Sequence, residues 1–66
     1  MLSKRKLEER ELRKQKILDG ALKVFKIHGI EKTTMDEVAH ESGFGKATLY
    51  YYYTSKDEVF VDIMVK

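Results

Sequence analysis

The chain is punctuated for helices. Thr34-Met35-Asp36-Glu37 has the form of a capping box: the threonine hydroxyl serves an early backbone N–H, and the glutamate reaches back to the cap. Ser55-Lys56-Asp57-Glu58 repeats that form. Gly29 and Gly43 stand where helices would close, because glycine takes the left-handed conformation that a Cβ penalises. No proline occurs, and there are only four glycines in 66 residues. These marks divide the chain into four helical segments. The expected fold is all-α: a small helical bundle with a three-helix helix-turn-helix core and the start of a fourth, linking helix.

The first segment runs from about residue 4 to 28. Leu18, Ala21, Leu22 and Phe25 recur at i, i+3, i+4 and i+7, one face of a helix, with Ile17 beside it. Leu7 and Leu12 do not continue that face, so the first turns are expected to project into solvent. Ile30 falls two places past the Gly29 cap, where it can pack back on Phe25. In the second segment Val38 and Ala39 give the apolar side, and Gly43 ends it after about two turns. The third, about 46–53, is rich in strand formers. A lone strand has no partner in this chain, however, so a helix is expected. In the fourth, Val59, Phe60, Ile63 and Met64 share one face, and Val61 and Val65 make a second. A helix apolar on two sides expects neighbours on two sides. No stop precedes Lys66, so the chain reads as the front portion of a longer protein whose remainder covers the second face.

Composition narrows the function. A domain of this size buries only about 60% of its unfolded surface, which leaves no room for a large enclosed pocket. There is no cysteine, hence no disulfide and no thiolate metal site. No apolar run could span a membrane, and the charged N-terminus is unlike a secretory signal. The expected compartment is the cytoplasm. His28 and His40 are single and lack a ligand spacing, and no nucleophile–base–orienter set is present. No enzyme, metal or cofactor is expected. Residues 1–16 carry seven Lys/Arg against three Glu, a balance of +4, and the rest of the chain has a balance of −2. Residues 1–12 thus form a basic helical extension or arm ahead of a domain spanning 13–66. Two readings fit this charge: a polyanion-binding arm, or a solvated helix whose charges pair at i,i+3 and i,i+4.

The second and third segments, joined by Ser42-Gly43-Phe44-Gly45, suggest a helix-turn-helix at about 34–53. Ala39 permits a close crossing, Gly43 takes the turn and Leu49 fills the crossing. All four tyrosines follow as Tyr50–Tyr53, and no helix turns four neighbours to one side. At about 100° per residue, with Leu49 inward, Tyr53 belongs to the core and Tyr52 to the rim. Ala47, Tyr50 and Tyr51 point outward, with Thr48 at the other edge and Lys46 at the helix start. Such a surface suits a major groove, since phenols and a helix N-terminus meet phosphates and rings pack on sugars or thymine methyls. It equally suits a protein-docking patch. Lys56, Thr33 and Thr34 start the neighbouring helices on the same side, which favours phosphate; simple capping is the rival role of each threonine.

The chain resembles the DNA-binding domain of the tetracycline-repressor (TetR) family over roughly residues 13–66. The likeness rests on Phe25-Lys-Ile-His-Gly29, Thr33-Thr34-Met35-Asp36-Glu37-Val38-Ala39 and Gly43-Phe44-Gly45-Lys46-Ala47-Thr48-Leu49-Tyr50. The aromatics to Tyr53 and Ser55-Lys56-Asp57-Glu58-Val59-Phe60 extend it. The resemblance implies a homodimeric transcriptional regulator, usually a repressor, on a near-palindromic double-stranded operator. Its third helix enters the major groove. By position, Lys46, Ala47, Tyr50 and Tyr51 become candidates for base or sugar contact, and Thr34, Gly45, Tyr52 and Lys56 for phosphate contact. A regulatory domain binding a small-molecule effector is expected after residue 66. Departures are Gly45 for a frequent serine, Ala47 for glycine, Tyr52 for histidine, Tyr53 for phenylalanine, and Thr54 for a frequent basic residue.

Overall fold

Local signals place the helix ends. The computed structural model describes residues 2–65, with side chains from residue 8 onward. Four helices follow one another: α1 Leu2–His28, α2 Met35–Ser42, α3 Lys46–Tyr52 and α4 Lys56–Val65. Helix α1 ends as expected. Gly29 has φ +81°, and its N–H donates to the Phe25 carbonyl at 2.8 Å, the single bond of a left-handed cap. The Thr34 box is complete: the Glu37 N–H donates to Thr34 Oγ1 at 3.2 Å, and the Thr34 N–H donates to Glu37 Oε1 at 3.0 Å. Gly43, at φ +81°, closes α2 with a Schellman pair. Its own N–H reaches the His40 carbonyl, and the Phe44 N–H reaches the Ala39 carbonyl.

Several expectations need correction. Helix α1 begins at Leu2 rather than at about residue 4. Its buried side is also rotated. Ile17, Ala21 and Val24 are buried beside Leu18, whereas Leu22 is 39% exposed. Leu12 projects into solvent as expected, and Leu7 lies outside the described side chains. Helix α3 ends at Tyr52; Tyr53 is its extended C-cap, with φ −139° and ψ 131°, yet its ring is buried. At Ser55 only half of the second box forms. The Glu58 N–H donates to Ser55 Oγ, while the Glu58 carboxylate accepts from the Thr54 hydroxyl. Thr33 is buried rather than facing outward, and its hydroxyl donates to the Gly29 carbonyl at 2.7 Å. On α4 only Val59 is fully buried; Phe60 meets Phe25 edge-on at 6.0 Å, and Met64 is exposed with Val61 and Val65.

The core lies where α1, α2, α3 and α4 meet. It comprises Ile17, Leu18, Ala21, Val38, Ala39, Leu49, Tyr53 and Val59, with Phe25, Met35, Phe44, Tyr52 and Ile63 packed around it. Each large aliphatic side chain buried there contributes about 1.5–3 kcal/mol. Gly20 is also buried, on the side of α1 facing α2. A Cβ at this position would stand 2.9 Å from the Ser42 nitrogen and 3.0 Å from its Cα. The two helices therefore touch main chain to main chain. That contact explains a glycine inside a helix, where it costs about 1 kcal/mol relative to alanine. The loop between α1 and α2 is tied from below by Lys56, whose Nζ donates to the carbonyls of Glu31 at 2.8 Å and Thr33 at 2.9 Å.

Candidate nucleic-acid interface

Helix α3 is positioned by one residue. Leu49 is fully buried and fixes the rotation of the helix. Lys46, Ala47, Thr48, Tyr50 and Tyr51 are consequently exposed, Tyr51 by 70%, and Tyr52 is half-buried on the rim. This is the arrangement expected from the helical wheel. Gly45 is the N-cap of α3, extended at φ −73° and ψ 161°, and no side chain caps the helix there. The space around Gly45 is open, so nothing in the fold demands a glycine.

The cations have specific neighbours. Lys46 Nζ pairs with Asp36 Oδ1 at 2.8 Å across the turn, between two largely exposed side chains. Its hydrogen bond to Asp36, and the charge of that carboxylate, raise the Lys46 pKa. An exposed pair of this kind contributes little stability, so the ammonium can exchange Asp36 for another anion at small cost. Lys56 is more committed. It spends two of its three donors on the loop carbonyls, which leaves one N–H for any other partner. Thr34 is exposed, but its hydroxyl and N–H are both engaged with Glu37. The other oxygen of Glu37 lies 3.3 Å from His28 Nε2. His28 thus bridges the end of α1 to the start of α2, beyond its expected role at the helix terminus. His40 is exposed.

Sequence reasoning missed the part that α1 plays. Arg10 Nη2 donates to Tyr51 Oη at 3.1 Å, and its guanidinium lies 5.7 Å from the Tyr51 ring centroid. Arg13 stands beside Tyr52 along one cleft, and interaction with that side chain raises the Arg13 pKa. Lys14 Nζ lies 5.8 Å from the Tyr53 ring centroid. Three successive tyrosines thus each meet a cation from α1. Tyr51 and Tyr52 also meet edge-on at 5.1 Å, and Arg13, Ala47, Thr48, Tyr51 and Tyr52 line one shallow cleft. Tyr53 turns its hydroxyl the other way, donating to Asp62 Oδ2 at 2.5 Å. Burial, then that hydrogen bond, push its pKa well above the usual tyrosine value. Once packing fixes the buried side of α1, the phase is plain: Arg10, Arg13/Lys14, Ile17, Ala21 and Val24 fall on one stripe.

No described helix is long and apolar enough to cross a membrane, and among the described residues no group of side chains could hold a metal ion. Comparison with known proteins agrees with this geometry. The family model described as "Bacterial regulatory proteins, tetR family" matches residues 17–63. The HTH-type transcriptional regulator YfiR of Bacillus subtilis (strain 168) is 43% identical over 53 residues, covering 80% of this chain and 26% of its own length. The biofilm operon icaADBC HTH-type negative transcriptional regulator IcaR of Staphylococcus epidermidis is 38% identical over 47 residues, 71% of this chain and 25% of that protein. The HTH-type transcriptional regulator SrpR of Pseudomonas putida is 31% identical over 58 residues, 88% of this chain and 27% of its length. The chain spans about a quarter of the length of these relatives, all named as transcriptional regulators rather than enzymes. Its helix-turn-helix, with Leu49 turned inward and Tyr50 and Tyr51 turned out, is that of a member of the tetR family of bacterial regulatory proteins.

Proposed function

We propose that this chain is a DNA-binding module in which the outer face of α3 reads the major groove of a double-stranded, near-palindromic operator. The observation that carries this reading is the exposure of Lys46, Ala47, Thr48, Tyr50 and Tyr51 on one side of a helix anchored by Leu49. Ala47 leaves room for a base edge, and the Tyr50 and Tyr51 rings offer apolar contact to sugars and thymine methyls. Thr34, Gly45, Tyr52 and the remaining donor of Lys56 face the phosphates in this reading. The whole protein is a homodimeric transcriptional repressor of the cytoplasm. A regulatory domain follows residue 66 and binds the small-molecule effector that releases it from DNA. The name of IcaR as a negative regulator supports repression, and the exposed Val61, Met64 and Val65 of α4 suit contact with a further domain.

The test is an NMR titration of the labelled chain with a mixed-sequence duplex at low and at moderate salt. Shifts at Lys46, Tyr50 and Tyr51 that fade as salt rises are expected, because phosphate binding releases counterions. A folded spectrum unmoved at low salt rejects DNA as the partner of this face. It would point to the protein-docking reading of the tyrosines.

A further inference from the structure

The cations over the tyrosines belong to a segment, residues 8–14, that lies outside the family match at 17–63. Their placement follows from the stripe that folds the domain. With Arg10 at 0° on a helical wheel, Ile17 falls at about −20°, Ala21 at about 20°, Arg13 at about −60° and Lys14 at about 40°. The side of α1 that is buried at Ile17, Ala21 and Val24 is thus continued, one to two turns earlier, by Arg10, Arg13 and Lys14. The acids of the segment lie elsewhere: Glu9 and Glu11 fall about 100° away on either side, and Glu8 nearly opposite. Positive charge is centred on the side facing α3, with Glu9 and Glu11 on its flanks, near enough to act on Arg13 and Tyr53.

Both arginines are exposed. Arg10 spends one donor on Tyr51 Oη, and a guanidinium has five. A phenol is a neutral acceptor, whereas a phosphate is a charged one that a guanidinium grips with two parallel bonds. Tyr51, moreover, is on the face assigned to the groove. A duplex against Tyr51 must bring its backbone within reach of the side chain that holds Tyr51.

We propose that Arg10 and Arg13 form a second DNA-binding element on α1, each taking one backbone phosphate beside the groove occupied by α3. Tyr51 holds the Arg10 guanidinium in the free protein, Arg13 stands beside Tyr52 in the same cleft, and both turn to phosphate in the complex. This element is independent of sequence, because phosphates carry no base information. It rests on the DNA reading given above.

The test is the salt dependence of duplex binding by the 66-residue chain, followed by fluorescence anisotropy, for wild type, Arg10→Gln, Arg13→Gln and the double variant. Each single variant is expected to lower the slope of log affinity against log salt by about 1, and the double variant by about 2. Between 50 and 200 mM salt, wild type then loses about 3.5-fold more affinity per arginine than the variants do. The loss at low salt is the same for mixed and selected sequences. Arg10→Lys and Arg13→Lys retain the slope, which separates phosphate binding from simple support of the tyrosines. In the wild-type chain, the Nε–H signals of Arg10 and Arg13 shift on addition of duplex, a readout needing no variant. A double variant with the wild-type slope, or arginine signals unmoved while α3 signals shift, overturns the proposal and leaves the DNA reading standing. Wild type that binds no duplex at low salt overturns both.

Discussion

Leu49 and Tyr51 stand two residues apart on α3, one fully buried and the other 70% exposed. The inner side of the helix meets α2 and the core, and any change there alters the folded state. The outer side meets solvent and the arginines of α1, and a change there leaves the core intact. The helix thus keeps its packing residues and its exposed residues on separate faces, although its seven residues are contiguous. The lesson is that four adjacent tyrosines can serve three ends: Tyr53 packs, Tyr52 joins core to rim, and Tyr50 and Tyr51 face outward.

That separation can be broken from the inside. Leu49→Ala should cost about 2–5 kcal/mol, as large-to-small core changes do, measured by urea unfolding. A midpoint equal to wild type would mean that Leu49 does not anchor α3. Gly20→Ala should destabilise next. Its methyl meets the main chain of Ser42, an overpacking of about 1–3 kcal/mol, offset by up to about 1 kcal/mol of helix propensity. A stabilised variant would show that α1 and α2 do not touch as described.

Tyr53→Phe should cost about 1.5 kcal/mol through its hydrogen bond to Asp62. It should also change the alkaline limb. The Tyr53 pKa is raised in the fold by burial and then by Asp62, so its stabilising contribution is intact below about pH 10, the unfolded value. That contribution is lost as pH climbs toward the folded value. Stability of wild type minus that of Tyr53→Phe should therefore fall above about pH 10. A difference that stays flat would place Tyr53 outside the core.

On the outer side the expectation reverses. Tyr51→Ala should change stability by no more than about 0.5 kcal/mol, the range of ordinary surface substitutions, yet weaken duplex binding. Loss of helical circular dichroism in this variant would show that the two faces are not separable. Gly45→Ser has the smallest effect. The site is open and its backbone is already extended, so a serine cap should stabilise by a few tenths of a kcal/mol in thermal melts.

The parts of the fold legible in sequence are those closed within a few residues. The Thr34–Glu37 box, the Gly29 cap and the Gly43 turn join groups three to five residues apart. Residue type alone marks such contacts. The rotation of α1 was harder. Ile17, Leu18, Ala21, Leu22, Val24, Phe25 and Ile27 encircle much of the helix, so their spacing establishes a helix without choosing its buried side. Only packing shows that Val24 is inside and Leu22 half out. The long-range contacts were not legible at all. Arg10 meets Tyr51 across 41 residues, Lys56 reaches Glu31 across 25, and Gly20 abuts Ser42. The outer face of α3 was found because Leu49 gave the wheel a fixed origin. The arginines above it were missed because α1 had no such origin.

The contact at Gly20 also bears on how such a chain can drift. Elsewhere in the core, one aliphatic can replace another of similar volume, because neighbouring rotamers absorb the change. Between Gly20 and Ser42 the main chain itself sets the separation of α1 and α2, and no rotamer is available to absorb a methyl. Substitution can therefore wander over most of the interior while this one position stays closed. The angle at which the helix-turn-helix leaves α1 is inherited through an atom that is absent.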